Sequence, residues 1–167
     1  SEMCIRDRAE NSLTEARCYA QTYDDNEQFI EDKYPVDILY DLKIDCKIER
    51  NGFRPIFLRD LLSQKKLIHH DYTLKFYIAS TDVPGDYIVK WKVKNVGDEA
   101  KRRNCLRGFI ENPNLSNNGR KETSNFFGPH YVECYIIKNG VVVARDRILV
   151  PIEPVSYTHL RAHETEL

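Results

Sequence analysis

The chain has 167 residues, of which 41% are hydrophobic and 31% charged, and its formal net charge is −1. This length suits one domain with a hydrophobic core. The near-neutral charge argues against broad nucleic-acid binding, which needs an excess of basic residues. No apolar run in the sequence approaches the length needed to span a membrane.

The two ends of the chain differ in character from the rest. Residues 1–8 read SEMCIRDR and residues 155–167 read VSYTHLRAHETEL. Both resemble translated sequencing-adapter peptides, so we interpret them as non-native and expect the chain to be a fragment. Setting them aside leaves 22 basic and 22 acidic residues. It also removes His159 and His163, which could otherwise suggest a metal site.

The first native segment has the pattern of a helix over residues 12–30. Ser12 and Glu15 have the spacing of a capping box, and apolar residues then recur near the helical period. We therefore expect residues 9–34 to be a helical linker from a preceding domain. The main domain is expected over residues 35–154.

Downstream of the linker the hydrophobic period changes to two. Residues 42–49 alternate between apolar and polar side chains, which indicates a half-buried strand ending at Asn51 and Gly52. Pro55 predicts a brief helix over residues 56–62, with the proline in its first turn. Further strands are expected over residues 74–78, 87–93, 106–110 and 123–127.

The clearest hairpin signal runs from Tyr131 to Val150, with Asn139 and Gly140 as a two-residue turn. Short strands separated by turn residues predict a mainly β chain. We expect an immunoglobulin-like β-sandwich that follows the N-terminal helical linker.

The register of this hairpin raises a question of charge. Counted back from the turn, Glu133 faces Asp146, and like charges in that position are unfavourable. Either a β-bulge shifts the register or a neighbouring cation relieves the pair. Arg145 and Arg147 share one sheet face, where half-buried charge needs a partner. That partner is either an internal carboxylate or an anionic ligand.

A second basic group offers another candidate anion site. It comprises Lys101, Arg102, Arg103, Asn104 and Arg107. The planar guanidinium group of arginine suits phosphate, although a solvated turn explains the same pattern. Trp91 and Tyr131 could stack on a nucleotide base, but aromatic residues at period two are more often part of a core.

Signatures of catalysis and of metal binding are lacking in the sequence. It contains no Gly-rich phosphate loop, no G-x-S-x-G and no H-E-x-x-H motif. His69 and His70 would point to opposite sides of a strand, so no metal is expected. The native cysteines are scattered singly, which predicts free thiols in a reducing cytosol. We expect a soluble, cytoplasmic, non-enzymatic domain without a cofactor.

Three stretches carry a resemblance to a known family. They are FIEDKYPVD at 29–37, WKVKNVG at 91–97 continuing to RRNCLRG at 102–108, and HYVECYIIKNG at 130–140 with VARDR at 143–147. Over about residues 27–152 the chain resembles the adenylyl/guanylyl and SMODS C-terminal sensor domain. The helical segment before it resembles the tail of a nucleotidyltransferase or cyclase domain.

The resemblance implies a sensor that binds a nucleotide or another cue. Such a sensor would regulate an attached second-messenger nucleotidyltransferase or cyclase in bacterial antiphage defence. The expected ligand contacts are Trp91, Arg102, Arg103, Asn104, Arg107, Tyr131, Arg145 and Arg147. The alternative is a protein-interaction module that recognises a phage protein or a partner subunit. An open pocket with an aromatic wall would favour the sensor, and arginines saturated by internal carboxylates would favour the module.

Overall fold

The computed structural model describes residues 27–69, 71–95, 108–124 and 130–153. In chain order its elements are β1 (Leu42–Glu49), β2 (Ile56–Phe57), α1 (Leu58–Ser63), β3 (Thr73–Thr81), β4 (Ile88–Asn95), β5 (Ile110–Glu111), β6 (Arg120–Thr123), β7 (His130–Lys138) and β8 (Val141–Val150). The strands form two four-stranded antiparallel sheets, in the orders β2-β1-β3-β6 and β5-β4-β7-β8. The expectation of a mainly β chain is confirmed.

Most of the expected helix over residues 12–30 lies outside the described residues. So do parts of the strands expected over 106–110 and 123–127. No helix among the described residues is both long and apolar enough to cross a membrane.

One hydrophobic core lies between the two sheets and receives side chains from both. On β1 the alternation seen in the sequence becomes alternating burial, with Ile44, Cys46 and Ile48 directed inward. Trp91 of β4 is fully buried, and its ring centroid lies 6.3 Å from that of Phe76 on β3. Burial of large aromatic and aliphatic side chains is the main stabilising contribution to such a core.

The brief helix after Pro55 begins later than expected. Ile56 and Phe57 are extended and pair with Ile48 and Lys47 of β1. The helix therefore starts at Leu58, and the prediction of a helix with Pro55 in its first turn was wrong. Because Ile56 and Phe57 pair with the edge of β1, their backbone polar groups are hydrogen-bonded in the sheet and not in the helix.

Residues 27–40, which we call the strap, cross the outer face of the second sheet. The strap contains a three-residue 3₁₀ helix, Ile30–Asp32, and Ile30 is buried against Tyr135, Ile137 and Val142. Val142 exchanges backbone hydrogen bonds with the strap: its N–H donates to Pro35 at 2.9 Å, and its carbonyl accepts from Asp37 at 2.9 Å. Residues 27–34, which the sequence predicts to be the end of a linker, thus pack on the sheet.

The β7–β8 hairpin contains a β-bulge. Ile137 pairs with Val142 whereas Ile136 pairs with Ala144, so Val143 is the additional residue. Beyond the bulge Glu133 lies opposite Arg147 instead of Asp146. Of the two explanations that the sequence left open, the shifted register is therefore the correct one.

Candidate ligand pocket

A pocket of about 470 Å³ opens between the strap and the outer face of the second sheet. The strap contributes Glu27, Phe29, Ile30 and Glu31, and the sheet contributes Lys92, Tyr131, Glu133, Tyr135, Arg145, Asp146 and Arg147. The lining thus combines aromatic rings with charges of both signs. Pockets of this size accommodate a small-molecule ligand.

Arg147 is held by its own sheet. Its Nη2 donates to Glu133 on the neighbouring strand, and its guanidinium group lies 4.2 Å from the ring centroid of Tyr131. The bulge creates the contact between Arg147 and Glu133 because it sets these two residues opposite each other. Stacking on Tyr131 adds a cation–π interaction. Glu133 also accepts a hydrogen bond from the Tyr135 hydroxyl.

Arg145 is held by the strap instead. Its Nη1 donates to Glu31 Oε1 at 3.1 Å. The side chains of Arg145 and Glu31 are 50% and 40% exposed, so water screens this ion pair. An exposed pair of this kind contributes about 1 kcal/mol or less to stability.

A buried charge cluster fixes the beginning of the strap. Glu27 accepts from Lys92 Nζ at 3.0 Å and lies 3.3 Å from Lys94 Nζ, and each of the three side chains is at most 10% exposed. Lys92 also lies 4.9 Å from the ring centroid of Phe29. Burial lowers the pKa of Lys94 to about 8. The Glu27 carboxylate thus interacts with both lysine amines at this end of the pocket.

The two tyrosines of the pocket remain protonated at neutral pH. Burial raises the pKa of Tyr131 to about 12, with further contributions from Glu27 and Glu133. Burial and the adjacent Glu133 carboxylate also raise the pKa of Tyr135. Both hydroxyl groups can therefore act as hydrogen-bond donors.

The structure brings together three of the eight expected contact residues: Tyr131, Arg145 and Arg147. Trp91 is on the opposite face of its strand, inside the core, and its Nε1 donates to the Asn118 carbonyl at 2.7 Å. Its ring is thus out of reach of a ligand in the pocket, because alternate residues of a strand face opposite sides. Arg102, Arg103, Asn104 and Arg107 lie outside the described residues.

Several residues of the pocket and of the charge cluster beside it were not predicted from the sequence. Lys92 and Lys94 alternate with Trp91, so they could have been assigned to the outer face. Glu27 occupies an apolar position of the helical pattern expected over residues 12–30, where a charged residue is an exception. Glu31 had no comparable signal, because its role depends on the path of the strap.

The part of the chain that the structure describes has two kinds of side chain relevant to reactivity, potential metal ligands and free thiols. It contains no group of three or more His, Cys, Asp or Glu side chains that could hold a metal ion. Cys46 and Cys134 are buried free thiols, and burial raises the pKa of each. A thiol in this state is a poor nucleophile. The other two native cysteines, Cys18 and Cys105, lie outside the described ranges.

Comparison with known proteins gave one match. A sequence model of the family described as Adenylyl/Guanylyl and SMODS C-terminal sensor domain matches residues 24–153. No curated protein matches the chain, and no solved structure does. The matched range includes the strap, both sheets and every residue that lines the pocket.

Proposed function

Because the chain belongs to the adenylyl/guanylyl and SMODS C-terminal sensor domain family, we propose that it senses a nucleotide or a related anionic ligand. A domain of this family is a sensor and is not catalytic by itself. Binding would regulate an attached second-messenger nucleotidyltransferase or cyclase. We assign this role to the cytoplasm and to bacterial antiphage defence.

The observation that carries the proposal is the pocket beneath the strap. It offers arginines that suit phosphate, beside the aromatic rings of two tyrosines. Tyr131 supplies the aromatic wall that a base could contact. We propose Tyr131, Arg145 and Arg147 as ligand contacts. Arg102, Arg103, Asn104 and Arg107 remain proposed on the family resemblance alone.

We further propose that the fold is an immunoglobulin-like sandwich. The order β1-β3-β6 corresponds to strands A, B and E of that fold, and β5-β4-β7-β8 corresponds to C′, C, F and G. In this correspondence Trp91 lies on strand C and faces Cys134 on strand F. The short strand β2 is then an addition at the edge.

A protein-interaction module is the second candidate function. The observation in its favour is that Arg145 and Arg147 each form an ion pair with a carboxylate of the chain, Glu31 and Glu133. The lining also contains four carboxylates against three basic groups, so it is not strongly positive. A phage protein or a partner subunit could then bind the surface around the pocket.

A thermal-shift screen of the full chain against linear and cyclic nucleotides tests the proposal. A ligand at 100 times its Kd stabilises the folded state by about 2.7 kcal/mol, which raises Tm by several degrees. We expect a saturable shift with one nucleotide. The shift should be lost in the double variant R145Q/R147Q.

The matched control is R54Q, which removes an exposed arginine outside the pocket. It should keep the full nucleotide shift. If no nucleotide shifts Tm of the well-folded chain, or if R145Q/R147Q keeps the shift, the pocket is not a nucleotide site. Absence of any shift would favour the protein-interaction module, whereas a shift kept by R145Q/R147Q would assign nucleotide binding to another part of the chain.

A further inference from the structure

The two pocket arginines differ in how their carboxylate partners are held. Glu133 lies on the same sheet as Arg147, is 14% exposed, and also accepts from Tyr135. Its position is therefore fixed by strand register. Glu31 belongs to the strap, and its pair with Arg145 is half exposed on both sides. Of these two ion pairs, only the one between Glu31 and Arg145 can be replaced by a contact with a ligand without disturbing the sheet.

Resting on the proposed function, we propose that Glu31 occupies the phosphate position at Arg145 and competes with a phosphorylated ligand. The carboxylate presents the same oxygen acceptors to the guanidinium group that a phosphate would. A ligand phosphate carries more charge and more acceptor oxygens than one carboxylate, so it can replace Glu31. The ligand class is thus one with an accessible phosphate group.

How far the strap moves when a ligand phosphate replaces Glu31 depends on the strength of the other contacts of the strap. Glu27 is buried between two lysines, and Ile30 is buried under the sheet. Full burial of an isoleucine side chain contributes several times what an exposed ion pair does. Displacement of Glu31 therefore leaves the strap attached at these two points. The exchange moves Glu31 and the turn that follows Ile30, while the Glu27 cluster before it and the backbone hydrogen bonds between Val142 and residues 35–37 after it stay in place.

This local movement affects the hydrogen bonds of the turn that carries Glu31. The N–H groups of Lys33 and Tyr34 both donate to the Ile30 carbonyl at 3.0 Å, which closes the turn around Glu31. A ligand that replaces Glu31 would thus loosen this turn.

The test measures binding of inorganic triphosphate and of ATP to the full chain by calorimetry at low salt. In E31Q the Arg145 position has lost its competing charge, so both probes should bind about two- to fivefold more tightly than to wild type. D37N is the matched control, because Asp37 is an exposed strap carboxylate outside the pocket. It should leave both affinities unchanged. R145Q should weaken both.

Amide hydrogen exchange provides a readout that does not depend on the probes. The N–H groups of Lys33 and Tyr34 should exchange faster in E31Q than in wild type and D37N. Saturating triphosphate should accelerate the same two amides in wild type.

The outcomes separate this inference from the proposed function. Equal probe affinity in wild type and E31Q, with binding lost in R145Q, overturns the competition and leaves the pocket as a ligand site. If D37N and E31Q bind the probes more tightly than wild type by the same factor, the competition is also overturned. Loss of one negative charge from the strap would then explain the higher affinity. Binding that R145Q does not change overturns both proposals. No binding of either probe to any variant overturns the competition, and the screen against linear and cyclic nucleotides then decides the proposed function. A difference between triphosphate and ATP reports whether a base contributes.

Discussion

At the scale of single residues, the cluster of Glu27, Lys92 and Lys94 is the most unusual chemistry on the outer sheet face. Its two amines share one carboxylate in a place largely closed to water. Buried amines lose hydration when they are charged, so burial favours the neutral form. This explains why Lys94 is the amine in the described residues with a markedly lowered pKa.

The lowered pKa of Lys94 predicts how stability depends on pH. In the unfolded chain the amine keeps its proton up to about its ordinary pKa of 10.5, whereas in the folded chain the proton leaves near a pKa of about 8. The unfolded state therefore binds more protons between these values, and the free energy of unfolding rises with pH there. The buried thiols of Cys46 and Cys134, whose pKa values burial raises, lower stability over the same interval. Urea unfolding between pH 7 and 10 should therefore show the contribution of Lys94 as a difference between wild type and a variant without this amine.

The variant K94M should lack this contribution, so its stability should fall relative to that of wild type as the pH rises over the same interval. K43M, which removes an exposed lysine, is the control and should follow wild type. Parallel curves for all three proteins would contradict the assignment to Lys94. The interval stops at pH 10, because ionisation of tyrosines in the unfolded state opposes the effect above it.

At the scale of elements, the β7–β8 hairpin depends on its turn. Asn139 and Gly140 have φ values of 52° and 76°, as the two central residues of a type I′ turn require. A Cβ atom added at Gly140 would meet nothing within 4 Å, so only the backbone conformation opposes a side chain there.

This geometry predicts that G140A lowers the free energy of unfolding by about 1–2 kcal/mol, the cost of a left-handed conformation for a residue with a side chain. N139G should be close to neutral, since glycine adopts positive φ freely. Urea denaturation of both variants provides the measurement. A G140A variant as stable as wild type would show that the turn can change type without cost.

Elements with strict local signals could be predicted from the sequence, and elements defined by a distant partner could not. The alternation of residues 42–49 predicts strand β1, and Asn139–Gly140 predicts the turn of the hairpin, and the structure contains both. The bulge at Val143 has no such signal, since one extra residue only becomes visible when both strands are aligned. The path of the strap is set by hydrogen bonds to Val142, which is more than 100 residues away.

The candidate site shows the same difference between features that local sequence signals predict and features that depend on a distant partner. Arg145 and Arg147 could be assigned to one sheet face because side chains on a strand alternate. Which carboxylate each would bind depended on the bulge and on the strap, so the alternatives stayed open. Trp91 was expected to contact the ligand but lies in the core. From the sequence, an aromatic residue at such a position suits either stacking on a base or burial in a core.

At the scale of the whole molecule, Asp146 connects the two sheets. Its Oδ2 accepts from Ile44 N–H of β1 at 2.9 Å and from Arg59 Nη2 of α1 at 2.9 Å. Arg59 Nε in turn donates to the Ile44 carbonyl at 2.7 Å. One residue of β8 thus holds the first sheet and its helix against the second sheet.

We expect D146N to lower the free energy of unfolding by about 1–2 kcal/mol, because hydrogen bonds to a charged acceptor are lost at a partly exposed position. R59Q should cost a similar amount, and the double variant less than the sum of the two, since both remove the same contact. Strict additivity in denaturant unfolding would show that the two side chains act independently.

The burial of Trp91 has an optical consequence. It is the only tryptophan of the chain, and its indole is enclosed by the core and bonded to a carbonyl. Its emission should therefore be blue-shifted in the native state and shift to the red when the two sheets separate. A nucleotide beneath the strap would leave that emission largely unchanged. The protein thus contains an intrinsic fluorophore that reports unfolding separately from occupancy of the pocket.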